Sequence, residues 1–146
     1  MTLPPPTHPA PLLSSRTVLT SAAARAVAAA AEDEAMRNGS RMCIAIVDGG
    51  AQLIYFSRMD DSSIASIEVA IAKARSALLF KRPTKEFQDQ LAGGSLGLLA
   101  LPGMVAFAGG VPLRHRGETI GAIGVSGGTP ELDQRVALTG AARLSS

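Results

Sequence analysis

The sequence predicts a small α+β domain, an antiparallel sheet with packed helices in the order helix, hairpin, helix, hairpin, helix. Two pairs of apolar segments that flank glycine-containing turns predict the hairpins. Capped or periodic segments before, between and after them predict the helices. The chain has 146 residues, and 47% of them are hydrophobic, which is enough for one compact core.

The first 16 residues are rich in proline and predict a disordered leader, and residues 17–146 predict a single domain. Thr20 is a suitable N-cap for a first helix over Ser21–Asn38, and Gly39 is a suitable stop. The alanine-rich sequence predicts one buried face of this helix, formed by Ala22, Ala26, Val27 and Ala30.

The first hairpin is predicted between 42–47 and 52–57, because the Gly-Gly pair at 49–50 can adopt the positive φ of a tight turn. This turn sets Ile46 opposite Leu53. Both faces of the hairpin are apolar, so we expect the sheet to be covered on two sides or buried in an oligomer.

A second helix is expected to start in the acidic, cap-rich segment 60–63 and to end before Pro83. Thr84 is expected to cap a short helix that extends to Leu91, and residues 92–103 are expected to form a loop or a weak helical turn. Helical spacing predicts the buried stripe of the second helix to be Ile64, Ile67, Ile71, Ala74 and Leu78.

The second hairpin is predicted to join Val111–His115 to Glu118–Val125, with Leu113 opposite Ile120. The apolar pattern then requires either a bulge near Gly121 or burial on both faces. Thr129 and Pro130 have the residue types of an N-cap and a first helical position, so we expect a last helix over 130–143.

Gly124, Ser126 and Gly128 spell G-x-S-x-G, the turn that presents the serine nucleophile of α/β-hydrolases. That chemistry needs a histidine base, yet both histidines, His8 and His115, precede the serine. The parallel sheet that supports such a turn is also not predicted. We therefore do not expect Ser126 to be a hydrolase nucleophile, and we consider an anion site or a simple strand-to-helix joint there.

Composition argues against several other classes of protein. The 14 basic and 12 acidic residues nearly cancel and form no basic block, which disfavours nucleic-acid binding. No apolar run is long enough to cross a membrane, and no secretory signal is evident. A single cysteine and scattered acidic residues predict no metal site. We expect a cytoplasmic protein.

Three segments together resemble the GlcG/HbpS family, which is related to the C-terminal domain of PduO-type proteins. They are Lys73-Ala74-Arg75-Ser76-Ala77, Gly109-Gly110-Val111-Pro112, and the run from Gly121 to Gly128 with Pro130 and Asp133 after it. The resemblance spans about residues 17–144. Ser76 stands where the family usually has threonine, and Phe107-Ala108 where it commonly has proline or a polar residue.

The resemblance implies a profilin-like fold and a homo-oligomer, often an octamer. It also implies haem or a corrinoid-type ligand in some members, with haem degradation in the family name. We therefore expect an oligomer that binds haem or a small organic anion, with the ligand between subunits as one arrangement. The alternatives are an enzyme acting on a small oxo or hydroxy acid or on an aromatic-catabolism intermediate, and a structural or regulatory module that binds a partner protein.

The predicted ligand-binding residues are Lys73, Gly109, Gly110, Pro112, Ser126, Gly127, Gly128 and Asp133. Lys73 has two interpretations: a surface lysine, or a cation held beside the glycine-rich turns to neutralise an anion. On the second interpretation, Lys73→Met weakens ligand binding and leaves the fold intact. Asp133 also suits the first turn of a helix without any ligand.

The basic hairpin tip at Arg114, His115 and Arg116 is either a solvated turn or a partner for the carboxylates of haem or of a dicarboxylate. Cys43, Met59 and Met104 are possible soft iron ligands in principle, but residues of these types are more often core or loop filler.

Overall fold

A computed structural model describes residues 1–5 and 9–144 of the chain. His8 of the predicted leader therefore lies outside the described residues. Residues 1–5 and 9–18 form no helix or strand and are exposed. The disorder predicted for the leader and the boundary at residue 17 remain predictions.

Four helices and four strands follow, with a 3-10 helix in the predicted 92–103 segment, at Leu96–Ala100. The helices are α1 (Ser21–Arg37), α2 (Ala65–Phe80), α3 (Thr84–Ala92) and α4 (Pro130–Ala142). The strands are β1 (Cys43–Asp48), β2 (Leu53–Arg58), β3 (Gly110–His115) and β4 (Glu118–Ser126). They form one antiparallel sheet in the order β2-β1-β4-β3, which confirms the α+β prediction.

The sheet is covered on both faces within one chain. On one face, α1 and α4 pack over the larger side chains, among them Ile44, Ile46 and Ile123. On the other face, α2 packs over small side chains such as Ala45 and Ala122. Of the two alternatives that the apolar hairpins left open, coverage on two sides is therefore the one found.

Both hairpin registers differ from the predicted ones because each pair of strands contains a bulge. In the first hairpin, the loop has three residues, 49–51, and Ile46 lies opposite Tyr55 rather than Leu53. In the second, Leu113 lies opposite Gly121 rather than Ile120. The bulge at Ile120 confirms the irregularity predicted near Gly121.

The predicted helix caps are right at α1 and α4 and wrong elsewhere. Thr20 and Thr129 accept hydrogen bonds from backbone N–H groups in the first turns of α1 and α4. The second helix begins at Ala65, not within 60–63. Thr84 is the first residue of α3 instead of its cap, and its hydroxyl accepts a bond from the N–H of Gly110.

The buried faces of α1 and α2 agree with the predicted stripes only in part: Val27, Ala74 and Leu78 are buried as predicted, and other predicted positions are not. On α1, Ala22 is exposed, and the buried residues are Ala24, Val27, Ala28, Ala31 and Ala35. On α2, Ile64 is 77% exposed, and small residues such as Ala70 and Ala77 face the sheet. The reason is the close approach of α2 to β4, which leaves no room for branched side chains.

Candidate functional site

Most of the predicted ligand-binding residues meet at one end of the sheet, where β3 begins and β4 ends. The Lys73 side chain reaches this point from α2 and Asp133 from α4. The N–H of Gly128 donates to Oδ1 of Asp133 over 2.8 Å. A Cβ on Gly109 would lie 2.9 Å from Nζ of Lys73, so the glycine directly adjoins the ammonium group.

Lys73 is completely buried and has partners on all sides. Its Nζ donates to the Val125 carbonyl and to Oδ2 of Asp133, each over 2.9 Å. The ring centroid of Phe107 lies 5.2 Å from Nζ, within the range of a cation–π contact. These three contacts account for the three N–H donors of a lysine ammonium group.

This environment decides between the two interpretations of Lys73. The surface interpretation is wrong, because the side chain is 0% exposed. The anion beside the ammonium is the Asp133 carboxylate of the same chain. Burial lowers the pKa of Lys73 below its ordinary value, and the charge of Asp133 and its hydrogen bond offset part of that shift.

The glycines around Lys73 are explained by backbone geometry. Gly109 and Gly127 have φ values of +125° and +138°, which side chains rarely adopt. A Cβ on Gly110 would collide with the Lys73 carbonyl, and one on Gly127 would lie 2.6 Å from the Arg41 carbonyl. Of these glycines, Gly109 adjoins the ion pair itself, whereas Gly110 and Gly127 are held against neighbouring backbone. Their contact with a ligand remains a prediction.

The structure shows no side-chain contact of Pro112 or Ser126 with the ion pair, although Ser126 directly follows the Val125 carbonyl that Lys73 binds. Pro112 pairs with Ala122 on the edge strand β3, where a missing N–H is tolerated. Ser126 is the last residue of β4 and is 8% exposed. His115 pairs with Glu118 at the opposite end of that strand. Eight residues of strand span about 26 Å, so His115 cannot act as the base for Ser126, and the hydrolase interpretation is excluded for this pair.

The hairpin tip is more than a solvated turn. Arg114 donates to the Lys81 carbonyl over 2.7 Å, which ties the tip to the end of α2. His115 faces the other side of the sheet and is half-buried. It lines a cleft of about 240 Å³ whose apolar wall contains Val18, Leu19, Ile120 and Leu144.

The prediction from sequence missed this cleft because it assigned no contacts to the residues before Thr20. Leu19 is in the core, 6% exposed. An apolar residue directly before an N-cap often packs on the first turns of its helix. That signal was present at Leu19-Thr20 and was the only local indication that residues 17–20 dock on the sheet.

The candidate soft ligands are core and loop side chains. Cys43 is buried, with its Sγ 3.4 Å from the Ser62 hydroxyl oxygen. Met59 is buried and accepts a contact from the N–H of Met42, and Met104 is half-buried in a loop. Within residues 1–5 and 9–144, no group of three or more His, Cys, Asp or Glu side chains is placed to hold a metal ion. Nor does any helix in these ranges have the length and apolarity of a membrane span.

Comparisons with known proteins agree on one family. The family described as haem-degrading protein HbpS-like matches residues 19–142. Protein GlcG of Escherichia coli K12 is 35% identical over 114 residues, which are 78% of this chain and 85% of GlcG.

Two solved structures are similar in fold and in sequence. The crystal structure of HbpS has a TM-score of 0.85 and 34% identity, covering 92% of this chain and 96% of HbpS. The crystal structure of a PduOC:heme complex has a TM-score of 0.80 and 29% identity, covering 88% of this chain and 96% of that one.

Proposed function

The chain belongs to the HbpS-like family, and we propose from this premise that it binds haem. The family is described as haem-degrading, and a structure of similar fold was solved as a haem complex. The observation in this chain that carries the proposal is the position of His115, half-buried at the edge of an apolar cleft.

The donor chemistry supports His115 as the iron ligand. Proteins hold haem iron through His, Met, Cys or Tyr side chains. Cys43 and Met42 are completely buried in the core, and Met59 nearly so. Among the described residues, the more accessible donors other than His115 line no part of its cleft; they are Met1, Met36, Tyr55 and Met104. His115, in contrast, stands at a cleft with apolar side chains that suit a porphyrin face. The exposed Arg116 follows it and suits a propionate.

The sequence-predicted site around Lys73 fits haem less well. Its cation is already paired with Asp133, and the side chain has no exposed surface. A ligand there would have to displace Phe107, a residue that is 47% exposed and whose ring centroid lies 5.2 Å from the ammonium nitrogen. Direct contact with a ligand remains an untested prediction for the residues named from the sequence, which are Lys73, Gly109, Gly110, Pro112, Ser126, Gly127, Gly128 and Asp133.

The haem site is proposed to be completed by a second copy of the chain. Small-molecule sites commonly enclose about 300–1,000 Å³, and the His115 cleft, at about 240 Å³, is smaller. One protomer would therefore cover only part of a porphyrin. This fits the homo-oligomer, with the octamer as its expected size, that the family resemblance implies.

Self-association has separate support in an apolar patch that does not line the His115 cleft, so it would form a second interface of the oligomer. Leu96 and Leu99 of the 3-10 helix are 69% and 68% exposed, and residues three apart lie on the same side of such a helix. Exposed apolar patches mark interaction surfaces. The earlier reason for expecting an oligomer, uncovered hairpin faces, no longer applies, because the helices cover both faces.

Titration with ferric haem tests the proposal. Removing a residue that hydrogen-bonds to a metal ligand already reduces metal affinity about 10- to 100-fold. Removing the ligand itself by His115→Ala should therefore reduce haem affinity by at least that much and change the absorption spectrum. His8→Ala is the matched control, since it removes the other histidine of the chain. Unchanged binding by His115→Ala would refute His115 as the ligand, and no binding by the parent would refute the function.

A further inference from the structure

A further cleft lies beside the end of α2 and the hairpin turns, and none of its lining residues belongs to the Lys73 pair or to the His115 cleft. It has a volume of about 480 Å³, within the range of small-molecule sites. Its walls are the turns of both hairpins, the end of α2 and the chain at Arg16. Leu78 and Leu79 form an apolar side, while Arg16, Lys81 and Glu118 bring charge.

Positive charge predominates around this cleft. Arg16 and Lys81 line it, against one acidic side chain, Glu118. Two more cations are bonded at its rim: Arg114 donates to the Lys81 carbonyl, and Arg75 donates to the Ala51 carbonyl.

One more acid does not reverse this balance. Asp48 lines the adjoining cleft, and its Oδ1 accepts hydrogen bonds from the N–H groups of Gly50 and Gln52. Its carboxylate keeps its negative charge, but the cations around the two clefts still outnumber Asp48 and Glu118. This excess of positive charge favours an anion.

The backbone at Lys81 gives independent support. Lys81 ends α2 with a φ of +54°, and the next N–H, that of Arg82, donates to the Ala77 carbonyl. Helix α1 ends in the same way: Gly39 has a φ of +67°, and the N–H of Ser40 donates to the Ala35 carbonyl.

Glycine is the residue that this left-handed position favours, and other residues are strained there. The chain therefore uses glycine where only the turn is needed, at α1, and lysine where the turn borders the cleft. Strained backbone of this kind concentrates at functional sites.

We propose that this cleft binds a small organic anion, with carboxylate or phosphate groups held by Arg16 and Lys81 and a short apolar part against Leu78 and Leu79. A cation at the end of a helix also complements the helix dipole. That role affects stability rather than ligand affinity, so the two roles can be separated by experiment. The inference does not depend on haem binding, because the two clefts share no lining residue.

Calorimetric titration with glutarate, and separately with inorganic phosphate, tests the site. Lys81→Gly removes the cation and relieves the left-handed strain, so we expect affinity for the bound probe to fall about tenfold or more while the melting temperature stays equal or rises. Arg16→Gln should weaken binding similarly. Lys85→Gln is the control, since Lys85 is exposed on α3 and paired with Asp89.

The two probes distinguish the sources of the anionic group, since glutarate carries carboxylates and an apolar chain. Binding of either probe that is lost in Lys81→Gly and kept in Lys85→Gln supports the site. Absence of binding by both probes, or equal affinity of Lys81→Gly and the parent, overturns it. Haem titration of Lys81→Gly should match the parent, so failure of this site is distinguishable from failure of haem binding.

Discussion

Lys73 on α2 and Asp133 on α4 form an ion pair with 2.9 Å between Nζ and Oδ2, and their side chains are 0% and 2% exposed. The pair is satisfied on both sides, since Lys73 also donates to the Val125 carbonyl and Asp133 also accepts from the N–H of Gly128. Two helices, the end of β4 and the turn that follows it are thereby connected through one buried contact.

We expect Lys73→Met to destabilise the fold strongly. Removing one partner of a buried ion pair costs about 3–5 kcal/mol, because the other charge is left unpaired. This corrects the expectation from sequence that methionine would leave the fold intact. Denaturant unfolding measures the effect, and Lys73→Met/Asp133→Leu, which removes both charges, should recover part of the loss. Parent-like stability of the single variant would contradict this account.

The lowered pKa of Lys73 predicts a dependence of stability on pH. Below that lowered pKa, Lys73 is charged in both the folded and the unfolded states. Between it and the ordinary value of 10.5, the unfolded chain binds more protons, so the contribution of Lys73 to stability rises with pH. The unfolding free energy of the parent minus that of the double variant should therefore increase from neutral pH to about pH 10. A constant difference would argue against the shift.

Sequence reasoning predicted those features that depend on neighbouring residues. The caps at Thr20 and Thr129 were right, because a hydroxyl and a nearby backbone N–H suffice to form them. The Lys73–Asp133 pair joins positions 60 residues apart, and no local pattern gives such a contact. Three motifs taken together were enough to predict the family, whereas the hydrogen-bond partners of each motif residue were visible only in the structure.

The buried face of α2 shows why periodicity was not enough. Helical spacing selected three isoleucines together with Ala74 and Leu78, and only Ala74 and Leu78 are buried. The structure instead turns small residues inward, since a Cβ on Gly124 would overlap the Ala70 carbonyl and lie 2.5 Å from the Ala74 nitrogen. The distance between α2 and β4 depends on how the layers pack, and it cannot be predicted from either segment alone.

Gly124→Ala should therefore loosen the contact between α2 and β4. The added methyl group meets backbone atoms, which cannot move aside, and overpacking commonly costs about 1–3 kcal/mol. Gly97→Ala is the control, since a Cβ there has no neighbour within 4 Å and the backbone φ is not left-handed. Thermal unfolding of both variants checks the difference, and equal melting temperatures would mean that the layers separate easily.

Ser126→Ala should leave any esterase background unchanged. Ser126 ends β4, whereas His115 on β3 pairs with Glu118 at the start of β4, so His115 cannot serve as a general base for this hydroxyl. The measurement is the hydrolysis rate of a simple ester by the parent and the variant. A fall of about a hundredfold or more, the scale of lost base catalysis, would restore the hydrolase interpretation of the G-x-S-x-G run.

The last prediction concerns the apolar patch formed by Leu96 and Leu99 on the 3-10 helix. If a second copy covers it, Leu99→Glu should dissociate the assembly, because it removes an apolar contribution of about 1.5–3 kcal/mol per interface and places a charge there. Leu138→Glu is the matched control, since Leu138 is 49% exposed on α4, across the sheet from α2. Light scattering at micromolar concentration should give a multiple of 15.0 kDa for the parent and the control, and a smaller species for Leu99→Glu.

A parent that scatters as a single 15.0 kDa species would refute self-association, and with it a haem site shared between subunits. An assembly that survives Leu99→Glu but is lost in Leu138→Glu would move the interface to the α1 and α4 layer, which is the side on which His115 lies.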